Sequence, residues 1–573
     1  MKRLITMLLA VLPLLASAQT KNVTVDSVGQ LSKQIENSEK FMISELKISG
    51  PLNGADVKLL QQIVNRTKAN EKKGECLVTS LDLSEAVFTE GKSALATTTL
   101  PNGLLSGAKK LEKVILPANL TTISKNCFED CESLSGINIP ENVTEIESQA
   151  FQRCENLSSV TLPKGIKAIG SEAFEGCKAL KEIEIPESVT ELGAQAFNGC
   201  DALATINIVA KLKKINNSTF KGCENLSNIT LPESLQSLGS DAFHDCKNLA
   251  EIELPESLEE IGNSAFEDCQ NLSKIDLSKI QKIGSNAFQD CKGLTTVNFD
   301  ALTKLGSGVF KNCVSLDSVS IQGSLDELDA NTFSGCTSLR GISLPATIKT
   351  IGSNAFEKCQ SLAMIELPFS LTKIGSDAFE ECSSLREIVI PNMVKSIGSS
   401  AFEGCVTLDS VGINGMVSEI DSKTFYRCSA LRHITLPNSI KKIGTKAFQE
   451  CASLQEIDLP VSLTTIGDDA FEKCSSLKSI KLPVGVTSIG SDAFLECTML
   501  TSVDLSTALK KIGGSAFAKC VSLKEVILHT PAPPSISKST FKGCMPVYII
   551  PRGSLPIYIA HKDWKSITGY QEK

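Results

Sequence analysis

The sequence of 573 residues predicts an α/β-type repeat solenoid, in which short repeats stack into one long parallel sheet and short irregular segments return the chain. Three observations predict this fold. A skeleton of the form L-x-x-I-x-I-P-x-x-V-x-x-I-G-x-x-A-F-x-x-C recurs nineteen times between residues 111 and 544. Successive copies lie 23 residues apart, except for two steps of 22 and a last step of 24, and every copy has the Phe and the final Cys. Each copy is too short to bury its own apolar residues, so the copies must stack and share a core.

The first eighteen residues have the pattern of a secretory signal peptide. Lys2 and Arg3 precede an apolar run over residues 4–15, and Ala16-Ser17-Ala18 provides small residues for cleavage after Ala18. A membrane anchor is the alternative, but the run is shorter than the roughly 20 apolar residues that span a bilayer. Export of the chain is therefore expected.

Residues 19–110 do not follow the repeat cleanly and are predicted to form an N-terminal cap with degenerate first repeats. A solenoid must hide its first core layer from water, which gives such a segment its role. We expect a strand at 46–48, a helix at 56–64 and a strand at 77–83. The stretch 104–116 resembles a worn repeat with Ala108 in the position of the Cys.

The two halves of the repeat predict different local structures. In residues 180–185 apolar and polar residues alternate over the last four positions, as in a half-buried strand, and Pro186 ends the strand because Pro cannot donate to a ladder. The second half returns the chain. Its Ile or Leu is followed by Gly in thirteen copies and by Asn or Asp in three more, which predicts a left-handed backbone at that position.

The invariant Phe and Cys are interpreted as a buried core. One aromatic ring of constant size per copy predicts a stacked spine, with a ligand platform as the alternative. For the Cys row we expect free buried thiols, because side chains in the same rotamer point in parallel and do not bring sulfurs together. Metal binding is disfavoured, since no Cys-x-x-Cys or paired Cys/His spacing is present.

The last residues, 545–573, differ in composition from the repeats. They contain the only Trp, Trp564, and three of the four Tyr. We expect a C-terminal cap whose aromatic side chains cover the last Phe layer. A separate aromatic binding site is the alternative.

The repeat resembles that of the BspA-like family of bacterial leucine-rich repeat proteins, whose repeat has the same I-P-x-x-V-x-x-I-G-x-x-A-F-x-x-C form. The match covers residues 111–544, and the stretches LKISGPLNGADVKLL and YIIPRGSLPIYIAHKDW also resemble the ends of such proteins in the Bacteroidetes. The resemblance implies a right-handed leucine-rich repeat superhelix that is secreted or surface-exposed. Some members are adhesins that bind host matrix proteins, such as fibronectin and fibrinogen, or other bacteria. The family has no catalytic motif to carry over, and the chain has no evident surface-anchoring domain.

The outward positions of the predicted strands form the candidate protein-binding face, because such a continuous face is commonly the binding surface of a solenoid. The face is acidic and poor in aromatic residues, which suits a basic protein patch better than a sugar or a nucleic acid. A solvated sheet face without a ligand is the alternative for each residue. The candidates are Glu182, Glu184, Glu251, Glu253, Asp276, Glu366, Glu387, Glu456, Asp458, Asp504 and Glu525.

Three classes of function remain open from the residues. The favoured class is an exported, non-enzymatic, monomeric binding module whose partner is a protein of the host matrix or of another bacterial surface. A passive structural or envelope scaffold is the alternative. An enzyme is disfavoured because the four His, at 244, 433, 529 and 561, are scattered without an evident nucleophile or metal partner. We expect no cofactor, and the net charge of −8 argues against a nucleic-acid partner.

Overall fold

The computed structural model describes residues 19–65, 77–90 and 97–573. The predicted signal peptide at residues 1–18 and Cys76 lie outside the described residues. The chain divides into two compact units, one of Met1–Leu212 with Ser218–Pro232 and one of Lys213–Asn217 with Glu233–Lys573. Each unit is a stack of parallel strands from successive repeats, which confirms the predicted repeat solenoid. No helix among the described residues is long and apolar enough to cross a bilayer.

The repeats form two parallel ladders, and most of them contribute a strand to each. The first half supplies strands of three or four residues in most repeats, such as Glu182–Ile185, which pairs in register with Thr205–Ile208. The second half supplies strands of two residues, such as Glu191–Leu192, which pairs with Ala168–Ile169. The return segments are short and mostly irregular, as predicted, and they carry in addition a ladder of two-residue strands.

In the first unit, the expected long sheet is divided into shorter sheets. The first-half strands form sheets of four, two and three members: Gln19–Thr24, Ile43–Leu52, Ser80–Phe88 and Lys113–Ile115; Gly136–Asn138 and Ser159–Thr161; Glu182–Ile185, Thr205–Ile208 and Asn228–Thr230. The second-half strands are Thr122–Ile123, Glu145–Ile146, Ala168–Ile169 and Glu191–Leu192. The helices of this unit are Leu31–Gln34 and Gly54–Val64.

In the second unit, the first-half strands form three sheets: Thr296–Phe299, Ser318–Ile321 and Gly341–Ser343; Glu387–Ile390, Ser410–Ile413 and His433–Thr435; Ser479–Lys481, Ser502–Asp504, Glu525–Ile527, Val547–Ile550 and Tyr570–Glu572. The second-half strands also form three sheets: Lys214–Ile215, Ser237–Leu238, Glu260–Ile261, Lys282–Ile283 and Lys304–Leu305; Glu327–Leu328, Thr350–Ile351, Lys373–Ile374 and Ser396–Ile397; Glu419–Ile420, Lys442–Ile443, Thr465–Ile466, Ser488–Ile489 and Lys511–Ile512. The helix is Leu555–Ala560.

The elements predicted before the first clear repeat are mostly present. The expected strand at 46–48 lies within Ile43–Leu52, and the expected helix is Gly54–Val64. This helix begins with a capping box, in which Asn53 accepts hydrogen bonds from the first turn and Asp56 accepts one from the Asn53 amide. The strand predicted at 77–83 is displaced, since it runs over Ser80–Phe88.

The Phe spine is confirmed within each unit. Neighbouring rings stack with centroids 5.0 to 5.8 Å apart and planes within 14° of parallel. The spine also explains the Cys row. The Sγ of Cys154 donates to the carbonyl oxygen of Phe128 at 3.1 Å, and the Sγ of Cys382 donates in the same way to Phe356 at 3.1 Å. All cysteines of the described residues are free, which confirms the predicted thiols.

The prediction of a left-handed backbone at the repeat Gly was wrong. Gly170 has no positive φ, and a Cβ atom built there would lie 2.5 Å from the amide nitrogen of Ser148 in the preceding repeat. Gly is required because backbones of successive repeats approach too closely for a side chain. The left-handed residues lie elsewhere in the repeat, at Glu172 (φ 59°) and Gly176 (φ 70°).

The left-handed positions belong to a third set of bonds between repeats. Around Phe174, three amides donate to the next repeat: Glu172 to Ala194 at 2.9 Å, Phe174 to Ala196 at 2.8 Å, and Gly176 to Asn198 at 2.7 Å. Left-handed non-Gly residues cost roughly 1–2 kcal/mol each. The hydrogen bonds that these turns make to the neighbouring repeat offset that cost.

The C-terminal aromatic residues pack on the last ring of the Phe spine. Trp564 is fully buried, and its indole nitrogen donates to the carbonyl oxygen of Pro534 at 2.7 Å. Tyr548 packs edge-on against Phe541, the last ring of the spine, with centroids 5.3 Å apart, and Trp564 lies 6.3 Å from the same ring. The aromatic side chains are therefore used to close the core.

Candidate functional site

The strand face is defined here as the outward side chains of the first-half segments of the repeats. Alternation along each segment creates it, because successive residues of a strand point to opposite sides. In the strand Glu182–Ile185, Ile183 and Ile185 are buried, whereas Glu182 and Glu184 are exposed. Outward side chains are consequently free of the core and available to a partner.

All eleven predicted residues lie on the strand face. Ten of them are exposed, and within the described chain these ten take part in no ion pair that the structure records. Asp504 is the exception, because its carboxylate lies 2.6 Å from Nε2 of His529 and is half-buried. Glu182 and Glu184 belong to the first unit, and the other nine belong to the second.

Several of these acidic residues lie where the ladder is interrupted. The segments with the pattern I-E-L or I-D-L around Glu253, Asp276, Glu366 and Asp458 are not in strands, although neighbouring repeats are. Between Asn228–Thr230 and Thr296–Phe299, the first-half segments are joined by one isolated bridge, from Glu251 to Lys274. The sequence pattern could not predict this interruption, because the alternation is intact there.

An open groove of about 800 Å³ lies at this interruption. We call it the acidic groove; the side chains that define it are Glu251, Glu253, Lys274, Asp276, Thr296 and Asn298. Three carboxylates face one ammonium group, so the groove carries net negative charge. The pKa of Asp276 is lowered by hydrogen bonding, since its carboxylate accepts from the amide of Ser278 at 2.9 Å. This carboxylate is ionised at neutral pH.

The strand face is less uniformly acidic than expected. From Thr296 to Ser343 its outward residues are mainly Ser, Thr, Asn and Gly. Along one side of the face, Arg340 pairs with Asp317 at 3.0 Å and Arg432 lies 3.4 Å from Asp409. The acidic residues of the second unit thus form separate groups, of which the acidic groove is one.

A second group of carboxylates lies away from the strand face, next to the Phe spine. Glu380 follows Phe379 and is half-buried; burial, reinforced by neighbouring carboxylates, raises its pKa to about 7. The neighbours are Glu403, Asp377, Glu357 and Glu381. Two cations partly neutralise the negative charge of these carboxylates. Lys358 pairs with Glu357 at 2.6 Å, and Lys423 lies 3.5 Å from Glu403.

The four histidines are in different settings. His433 is exposed on the strand face, and His529 contacts Asp504. His561 follows the helix Leu555–Ala560. His244 is mostly buried among carboxylates of its own and the next repeat, an arrangement that sequence reasoning missed because those partners are up to 24 residues away.

Comparisons with known proteins identify the repeat. The profile of the BspA type leucine-rich repeat region (6 copies) matches residues 98–227, 213–337, 303–432 and 418–547. Among solved structures, the chain is similar to a leucine-rich repeat protein from Bacteroides ovatus, with 30% identity over 71% of this chain and 88% of that chain and a TM-score of 0.48. It is also similar to a leucine-rich cell surface protein from Faecalibacterium prausnitzii, with 24% identity over 67% of this chain and 89% of that chain and a TM-score of 0.29. No curated protein shows significant similarity to the chain.

Proposed function

Because this chain belongs to the family of BspA-type leucine-rich repeat proteins, we propose that it is an exported, non-enzymatic protein whose strand face binds a partner protein. The single observation that carries this proposal is the acidic groove, where Glu251, Glu253 and Asp276 are exposed side by side. Solenoids of this kind offer long exposed sheet faces to other macromolecules. The Phe and Cys that recur in every repeat lie in the core.

The charge of the acidic groove favours a basic partner surface. Carboxylates without an intramolecular cation attract Lys and Arg side chains during encounter, and they fix the register of the complex. Thr296 and Asn298 extend the groove with neutral hydrogen-bonding groups. A protein of the host matrix or of another bacterial surface, with a basic patch of matching width, fits this chemistry.

Export and a location at the cell surface are parts of the proposal. They are supported by the signal-like pattern of residues 1–18 and by the similarity to a protein described as a cell surface protein. The groove has no buried constellation of nucleophile and base, and its carboxylates lie open to water. Binding is therefore the function that its geometry supports best.

The test begins with capture of partners from host-matrix and bacterial-surface extracts on the immobilised protein. The affinity of the captured partner is then measured for the wild type and for the double variant Glu251→Lys with Glu253→Lys. Reversing two charges in a complementary interface should cost about 2–3 kcal/mol, or roughly 30- to 150-fold in Kd, and added salt should weaken the wild-type complex.

The matched control is Glu256→Lys with Glu259→Lys. These residues are exposed in the same repeat, but they lie in the turn and return segment outside the groove. The control should bind within about threefold of the wild type if the groove makes the contact. Equal affinities for all three proteins would show that the groove does not contact the partner. The lack of any saturable partner would favour a passive scaffold.

A further inference from the structure

A cluster of metal-ligating side chains lies in the second unit, away from the strand face. His244 directly follows Phe243 of the spine, and Asp245 follows His244. Asp268 occupies in the next repeat the position that Asp245 occupies in its own, immediately before the core Cys. One ligand atom from each of His244, Asp245 and Asp268 lies within 4.8 Å of the other two.

The backbone holds the two aspartates in register. The amide of Asp245 donates to the carbonyl oxygen of Glu267 at 2.9 Å, and the amide of Asp268 donates to that of Gln289 at 2.9 Å. Both aspartates have a left-handed backbone, with φ of 60° and 58°. The two carboxylates are therefore presented by equivalent turns on adjacent, closely packed repeats.

The spacing suits a four-coordinate ion. Nε2 of His244 lies 3.3 Å from Oδ2 of Asp245. Ligand atoms about 2.0–2.2 Å from a tetrahedral Zn²⁺ are roughly 3.3–3.6 Å from one another. An oxygen of Asp268 lies within 4.8 Å of both atoms and supplies the third corner of a triangle of one nitrogen and two oxygens.

The other ring nitrogen of His244 supplies an independent observation. Its Nδ1 is fully buried and has no hydrogen-bond partner, although it faces Oδ1 of Asp241 at 3.5 Å and Oε2 of Glu267 at 3.7 Å. A metal bound at Nε2 fixes the proton on Nδ1, and that proton then points at the two carboxylates. Metal-ligating histidines commonly have such a carboxylate at the second nitrogen.

Carboxylates of two repeats surround the ring of His244. The groups around the ring of His244 are the four carboxylates of Asp241, Asp245, Glu267 and Asp268, and the ammonium of Lys247 lies 3.9 Å from Oδ1 of Asp245. Glu267 is held in place by Gln289, whose amide nitrogen donates to it at 3.1 Å.

The sequence departs from the repeat at these positions. Among the residues that precede the nineteen core cysteines, acidic residues follow one another in consecutive copies only at Asp245, Asp268 and Asp290. His244 is the only His among the residues that follow the nineteen core Phe. Both departures occur together, whereas stacking alone requires neither of them.

We infer that His244, Asp245 and Asp268 bind a divalent transition-metal ion of the Zn²⁺ class, with a coordination position left for water or a ligand. The imidazole selects a transition metal over Ca²⁺ and Mg²⁺, which prefer oxygen ligands alone. The expectation of no metal site from the sequence rested on Cys and His spacing along the chain. Here the ligands come from two repeats.

The test is a calorimetric titration of the protein with ZnCl₂, with CaCl₂ in a parallel experiment. Cys544 is the half-buried cysteine of the described chain, and Cys76 lies outside it, so both are replaced by Ser to remove competing thiols. We expect one saturable equivalent of Zn²⁺ at micromolar concentration and an affinity for Ca²⁺ at least tenfold weaker.

Variants assign the site. His244→Ala and the isosteric Asp268→Asn should each weaken Zn²⁺ binding at least tenfold, whereas His433→Ala, which removes an exposed His of the strand face, should leave it unchanged. Far-UV circular dichroism verifies that each variant is folded. If His244→Ala does not fold, the Zn²⁺ affinity of Asp268→Asn alone decides whether the site is correct. Absence of saturable Zn²⁺ binding, unchanged affinity in a folded site variant, or equal affinity for Ca²⁺ would overturn the inference.

Discussion

Replacing Phe356 by Ala tests the stacked spine directly. Phe356 is fully buried between Phe333 and Phe379, with ring centroids 5.5 and 5.2 Å away, and its carbonyl oxygen accepts the thiol of Cys382. The substitution removes a benzyl group from a site that neighbouring repeats hold open on both sides. Loss of transfer free energy plus a cavity costs about 3–5 kcal/mol for a buried Phe. We expect the upper part of that range, because ladder hydrogen bonds on both sides limit collapse.

The assay is equilibrium urea unfolding followed by far-UV circular dichroism, with hydrogen exchange of residues 333–382 to locate the loss. Phe369→Ala is the matched control, because Phe369 has the same side chain and is 89% exposed. The control should change the free energy of unfolding by less than about 0.5 kcal/mol. A cost below about 1 kcal/mol for Phe356→Ala, or equal costs for the two variants, would refute the reasoning that the spine stabilises the stack.

Three further predictions concern the return segments and the end of the thiol row. Gly375→Ala should destabilise the protein by roughly 1–3 kcal/mol, since its Cβ would lie 2.5 Å from a backbone nitrogen, whereas Gly341→Ala, with open space, should not; urea midpoints compare them. The raised pKa of Glu380, about 7 against an ordinary 4.5, means that stability is full below about pH 4.5 and is lost as pH rises through about 7. Glu380→Gln should therefore raise the free energy of unfolding at pH 8 by about 1 kcal/mol, after screening of this partly exposed group, and leave it unchanged at pH 4; urea unfolding at the two pH values measures this. Hydrogen bonding from Cys520 lowers the pKa of the half-buried Cys544, so mass spectrometry after brief native alkylation should find Cys544 modified and Cys520 unmodified.

Much of the fold could be predicted because the repeat encodes burial directly. A Phe and a Cys at a constant interval have one common explanation, a continuous core, and the stacked rings and free thiols confirm it. Alternation in the first half likewise predicted the outward positions of the strand face. These features depend on residues within one repeat, and such residues are close to one another in the sequence.

The features that could not be predicted depend on contacts between repeats. A two-residue strand such as Ala168–Ile169 is too short to show a period, so the second ladder was missed. The Gly that follows it looked like a turn residue, but its role is to let the preceding backbone approach. Glu172 adopts a left-handed conformation without any Gly or Asn signal, because hydrogen bonds to the next repeat impose it.

The candidate site could be predicted only in part from the sequence, for the same reason. The outward placement of Glu251 and Glu253 follows from alternation, but the interrupted ladder that opens the groove beside them does not. The cluster around His244 joins residues from two repeats, and their proximity can be recognised only once the stacking register of the repeats is known. Asp504 does point outward on the strand face, but its carboxylate contacts His529 and is therefore not free to bind a partner.

The most direct test of a binding strand face is a hydrogen-exchange footprint of the protein saturated with its captured partner. We predict slowed exchange at residues 251–254, 274–277 and 295–298, and loss of that protection when Glu251 and Glu253 are replaced by Lys. Protection confined to second-half segments, such as residues 256–269, would contradict the account, because it would place the partner outside the acidic groove.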